Sequence, residues 1–139
     1  MSLYDWLLFI HILSAFFLVG SLTALWALVL ATRPAAPLLV EEDARLYGRI
    51  AGPLVGVGII GTLIFGIALA IQVDRYHVWD GWIVAAIVLW MIGGWAGGEA
   101  GKRFDRDPVA GRRAGIRFQA VSSLAALAIL VLMIWKPGA

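Results

Sequence analysis

Four long apolar runs, separated by short charged stretches, set the pattern of this chain. The first, residues 6–32, holds 27 residues with no Asp, Glu, Lys or Arg and a single histidine, His11. An α-helix rises about 1.5 Å per residue, so roughly 20 apolar residues cross a hydrocarbon core of about 30 Å. The same reasoning applies to residues 50–73, 81–98 and 118–135, none of which contains a charged side chain. The pattern predicts an all-α integral membrane protein, a four-helix bundle forming a single transmembrane domain over residues 1–139. Its helices are expected near 3–31, 50–73, 81–101 and 116–135. A further short interfacial helix is expected over 37–48, where Leu38, Leu39, Leu46 and Tyr47 mix with Glu41, Glu42, Asp43 and Arg45.

Local signals mark where these helices begin and end. Ser2 and Asp5 are spaced as a capping box, each side chain able to satisfy the other's backbone N–H, which would start the first helix near Leu3. The opening residues carry no Lys or Arg and the run is long, so a retained helix is expected rather than a cleaved leader. Thr32-Arg33-Pro34 ends this helix, Asp80 is placed to cap the third, and Pro53 falls in the first turn expected for the second. Glu99 precedes Arg103 by four residues, the order that favours an ion pair on one helix face.

Composition agrees with lipid as the main solvent. Hydrophobic residues make up 62% of the 139 and charged residues 14%, more apolar surface than a soluble domain of this size can bury. Charge changes the picture through its distribution. Nine of the eleven Lys and Arg lie between the first and second runs or between the third and fourth, leaving Arg75 and Lys136 on the other side. The positive-inside rule then places both termini on the non-cytoplasmic side of a bacterial cell (inner) membrane. Trp6, Trp79, Trp82 and Trp135 would form an outer aromatic belt, with Trp26 and Trp95 toward the inner interface. The lipid bilayer is the expected partner. Nucleic acid is not.

Inside lipid, helices associate through close backbone contact at small residues. Gly93, Gly97 and Gly101 form two overlapping GxxxG steps on the third helix, and Gly56 is among several glycines on the second. These faces are expected to pack helices together, within one chain or against a second copy or another membrane protein.

An ionisable group within a membrane span is a functional candidate by default. His11 lies about 12 Å along the first helix, with Ser14 and Ser21 on nearly the same face. A neutral imidazole there can ligate a haem iron or another metal, or hydrogen-bond a quinone; it can equally be a buried residue bonded to a serine or carbonyl. His77, in the stretch joining the second and third spans, is expected on the same side and could join His11 and Ser14 in one site. With no cysteine, thiolate metal sites and disulfides are excluded, and no catalytic nucleophile, phosphate loop or carboxylate pair is evident.

The stretches Tyr4-Asp5-Trp6-Leu7-Leu8-Phe9-Ile10-His11-Ile12-Leu13-Ser14-Ala15-Phe16, Gly61-Thr62-Leu63-Ile64-Phe65-Gly66-Ile67-Ala68-Leu69 and Tyr76-His77-Val78-Trp79-Asp80-Gly81-Trp82-Ile83-Val84 resemble predicted integral membrane proteins of unknown function that accompany the CopD-like four-helix families. More distantly, the chain is similar to CopD copper-resistance proteins and HemJ-type protoporphyrinogen oxidases, which place a histidine early in helix one. That resemblance implies haem b with His11 as an axial ligand. The HemJ pattern has a second histidine late in helix one, where this chain has Ala31-Thr32-Arg33, and a lysine in helix three, where residues 82–98 have none. The resemblance therefore carries haem ligation and leaves the oxidase activity aside. Three roles stay open: a haem-binding or redox protein using His11, a non-catalytic accessory or structural subunit, and a small transporter or metal-handling protein.

Overall fold

Ser2 and Asp5 lock the start of the chain. The Ser2 N–H donates to Asp5 Oδ2 at 2.7 Å, and the Asp5 N–H donates to Ser2 Oγ at 3.2 Å. Two of the N–H groups that a helix start leaves without intrahelical acceptors are thereby satisfied, and α1 runs over Leu3–Ala31 as the capping box predicts. This computed structural model describes the backbone of residues 2–31, 37–72, 77, 79–106 and 112–136, and the side chains of 2–27, 29–30, 53–72, 77, 79–103 and 113–136.

Three more helices follow: α2 over Pro37–Gln72, α3 over Gly81–Arg106 and α4 over Arg112–Trp135. Four stretches within them are long and apolar enough to cross a bilayer, namely Leu3–Ala27, Pro53–Gln72, Gly81–Arg103 and Arg113–Trp135. The chain is thus all-helical, with the spans of a multi-pass membrane protein, and no strand occurs among the described residues.

The helices exceed the apolar runs at their polar ends. Instead of a separate interfacial helix over 37–48, α2 is continuous from Pro37 to Gln72. Pro53 consequently lies well inside it, in place of the expected first turn. Helical dihedrals satisfy backbone groups without a partner strand, and between Pro37 and Pro53 no residue lacks an N–H, so the ladder can run on past the membrane boundary. Side chains over 37–52, and the expected Asp74–Arg75 pair, lie outside the described residues.

At the start of α3 the carbonyl of Asp80 accepts from the N–H groups of Ile83 and Val84 at 2.9 and 3.1 Å, which puts Asp80 at the cap position. Its carboxylate turns back to accept the N–H of His77 at 3.0 Å, while its own N–H donates to the His77 carbonyl at 2.8 Å. The polar end of α3 carries the ion pair, but Glu99 joins Lys102 at 2.8 Å, three residues on, in place of Arg103. Arg103 lies instead over the Phe118 ring, 5.0 Å from its centroid. At the other end of the hairpin, Lys136 takes a left-handed backbone, φ 40°, and its N–H donates to the Leu132 carbonyl at 2.9 Å, ending α4 in the manner of an αL cap.

The chain divides into two compact units, residues 1–72 and 73–139. In the first, α1 and α2 pack antiparallel: positions near Leu18, Ser14 and His11 meet Gly58, Gly61 and Gly66 in turn. In the second, α3 and α4 pack antiparallel, with Gly93 against Ala125 and Gly97 against Ser122. Ala96 and Ala100 are fully covered in that seam. Large apolar side chains, among them Phe9, Phe16, Ile60 and Ile64 in the first unit and Met91, Leu124 and Ile134 in the second, are exposed, as a lipid-facing surface requires.

Candidate functional site

The register of α1 carries Ser14, Ser21, Leu22 and Val29 into the seam with α2, all buried, at intervals that return to one helix face. His11 lies one turn before Ser14 on that face. On α2 the facing ridge is Gly58, Thr62, Gly66 and Ala70, four residues apart, with Gly61 beside it.

Space along this seam is tight. A Cβ on Gly58 would stand 2.7 Å from the Leu18 backbone nitrogen and 2.8 Å from its Cα. One on Gly61 would collide with Ser14 Oγ and lie 2.8 Å from its Cβ. At Gly66 it would come within 3.0 Å of His11 Cε1 and 3.4 Å of Nδ1. The imidazole therefore lies directly against the α2 backbone, in room that exists because residue 66 has no side chain. It lies also beside the backbone of Thr62, one turn before Gly66.

The two hydroxyls nearest His11 are turned away from it, while the Thr62 backbone is within hydrogen-bonding reach of the imidazole. Ser14 Oγ donates to the Ile10 carbonyl at 2.8 Å; Thr62 Oγ1 donates to the Gly58 carbonyl at 2.6 Å, with the Ile59 carbonyl at 3.1 Å. Each hydroxyl satisfies itself on its own helix, the usual solution for serine and threonine within a span. His11 Nδ1 is buried and has no hydrogen-bond partner among the described residues. An imidazole nitrogen with unspent hydrogen-bonding capacity in an apolar setting is costly, and a bound group can relieve it.

The residues expected at the site fall in both units. Ser14 is a neighbour of His11 in the seam, but its hydroxyl is committed to Ile10. His77 belongs to the second unit, where its backbone is held by Asp80 and its side chain is exposed. Gly93 and Gly97 face α4, at 3.1 Å from Ala125 Cβ and 3.2 Å from Ser122 Oγ to a Cβ built on each. Around Gly56 and Gly101 nothing in the described part of the chain lies within 4 Å of such an atom.

Gln119 was not singled out by its sequence context. It is 2% exposed, in the α3–α4 seam near Ser122, and its Nε2 is buried without a partner. A single neutral amide in an apolar run forms no motif; only its spacing three residues before Ser122 on α4 hinted at a shared buried face.

His11 itself sets what kind of group could bind. Among the described residues no three His, Asp or Glu side chains gather to hold a metal ion. One histidine cannot assemble the three or four protein ligands that a bare transition metal takes. It can serve a group that brings its other donors, as a haem does with four ring nitrogens. No protein-family model, curated protein or solved structure matches this chain.

Proposed function

We propose that this protein is a multi-pass membrane protein of a bacterial inner membrane, with both termini outside, and that its first hairpin would hold haem b through His11. The observation that carries the reading is the buried His11 Nδ1 with no hydrogen-bond partner, in a seam where the nearby Ser14 and Thr62 hydroxyls are bonded to their own helices. The orientation rests on the nine basic residues grouped between spans one and two and between spans three and four.

In this reading the chain does three things for the bound group. His11 would supply a nitrogen ligand to its iron. Gly66 admits the ring against α2 and restricts its rotation, while Gly58 and Gly61 hold the helices at the separation that keeps it there. The exposed apolar faces of α1 and α2 keep water from the surroundings in a bilayer. Haem held there would supply one-electron redox chemistry.

The test is an absorption spectrum of the purified protein, oxidised and reduced, beside that of His11→Ala. A Soret band present in the parent and lost from a folded His11→Ala supports the proposal. A colourless parent after expression with ample haem overturns it. The second reading, a non-catalytic accessory or structural subunit, draws on the same contact: a ring fitted against Gly66 also works as a packing piece. Under that reading His11→Ala loosens the first hairpin and changes no spectrum. A transporter or metal-handling role would instead require flux in proteoliposomes that depends on His11 or Glu99.

A further inference from the structure

Both ends of the second hairpin carry a cation over an aromatic ring, yet only one end is rich in charge. At the end formed by the late part of α3 and the early part of α4, Lys102, Arg103, Arg113 and Arg117 are all exposed. Residues 99–117 hold six basic side chains against three acidic ones, Glu99, Asp105 and Asp107. Glu99 is taken by Lys102. Among the described residues, Arg103, Arg113 and Arg117 have no carboxylate partner.

Topology accounts for positive charge at this end, but not for its arrangement. The Arg103 guanidinium is held 5.0 Å from the centroid of Phe118, and the same ring meets Trp95 edge-on at 5.5 Å. A ladder of three side chains thus leads from the span to its edge: Trp95 within the apolar stretch, Phe118 beside it, Arg103 at the boundary. Arg117 adjoins Phe118 in sequence, and Arg113 lies one turn earlier on the same helix. Trp95 is exposed, as are Val121 and Leu124 on α4. The result is an ordered guanidinium with further arginines at its side and an apolar, aromatic surface beneath it.

We infer that this end of the second hairpin binds an anionic phospholipid, its phosphate held by Arg103 and Arg117 and an acyl chain lying along Trp95. Guanidinium groups present paired N–H donors that match phosphate oxygens, and stacking on Phe118 leaves Arg103 less freedom to lose on binding. Charge sets the choice of a net-negative headgroup over a zwitterionic one. The apolar surface sets the choice of a lipid over free phosphate.

The experiment counts lipids retained by the full-length protein in native mass spectrometry, after titration in detergent with phosphatidylglycerol or with phosphatidylcholine of the same acyl chains. Preferential retention of phosphatidylglycerol is expected. The preference should fall about tenfold in Arg103→Gln with Arg117→Gln and about threefold in Phe118→Leu, which keeps every charge but frees Arg103. Lys136→Gln, at the opposite end of the hairpin, should leave it unchanged, and circular dichroism checks that each variant keeps its helices. Equal retention of the two lipids overturns the inference. So does a preference that survives the double arginine variant, that Lys136→Gln removes as effectively, or that excess inorganic phosphate displaces.

Discussion

The two hairpins use one packing device for different ends. In each, glycines on one helix receive small or backbone groups of the other, so that the helices approach closely where lipid offers no hydrophobic drive for association. The first hairpin brings backbone to backbone, Gly58 against Leu18, and sets an imidazole into the seam at Gly66. The second sets α4 side chains against glycine backbone on α3, Ala125 at Gly93 and Ser122 at Gly97, and encloses a neutral amide at Gln119. Each seam contains a buried nitrogen without a partner, His11 Nδ1 in one and Gln119 Nε2 in the other. Of the two, the imidazole is the ready metal ligand, and this difference makes the first hairpin the place to look for a cofactor.

Substitutions can break or sharpen this contrast. The largest effect is expected at Gly58→Ala, because the Cβ would press on Leu18 backbone atoms that cannot rotate aside. It should destabilise the first hairpin by about 2–3 kcal/mol in reversible unfolding in detergent. Gly56→Ala, with nothing described within 4 Å, serves as its control and should be neutral or slightly stabilising. A Gly58→Ala protein as stable as the parent would mean that the two helices are not in close contact there.

Gly97→Ala should have a smaller effect, about 1 kcal/mol, since the group it meets at 3.2 Å is the Ser122 hydroxyl, which can turn. Equal losses from Gly58→Ala and Gly97→Ala would erase the distinction between backbone and side-chain seams. Gly66→Ala should change stability by less than about 1 kcal/mol, the His11 ring yielding by a few tenths of an ångström. If His11 holds haem as proposed, the informative readout is haem retention, which should drop in Gly66→Ala and hold in Gly56→Ala. The smallest effect is expected from Glu99→Gln. Lys102 is 62% and Glu99 24% exposed, so solvent screens their pair and the loss should stay within about 0.5 kcal/mol in a thermal melt.

Much of the fold was legible in the chain because span length and capping are local properties. Eighteen or more residues without charge suffice to propose a crossing, and Ser2 with Asp5 suffices to start α1. The GxxxG spacing singled out Gly93 and Gly97, and both stand close to α4, because residues four apart share a face wherever the helix lies. It could not separate them from Gly101, for which no close neighbour is described, since spacing says nothing of where the partner helix leaves the seam. Among the many glycines of α2, likewise, spacing alone did not choose Gly58, Gly61 and Gly66 over Gly56.

The same limit governed the polar residues. His11 stood out because a titratable group within a span is rare, whereas Gln119 passed unnoticed because a neutral amide carries no such signal. The partner of Glu99 turned on side-chain direction: Arg103 had a ring within reach, and Lys102 took the carboxylate. The chain alone determined that there are four apolar helices, where α1 begins and which ionisable residue lies within a span, for these follow from length, local hydrogen bonding and composition. Only the tertiary structure decided which glycines face which residues, that Ser14 bonds its own helix, and that a nitrogen of His11 is left without a partner. Those facts depend on the rotation and offset of one helix against another, which residues far apart in the chain settle together.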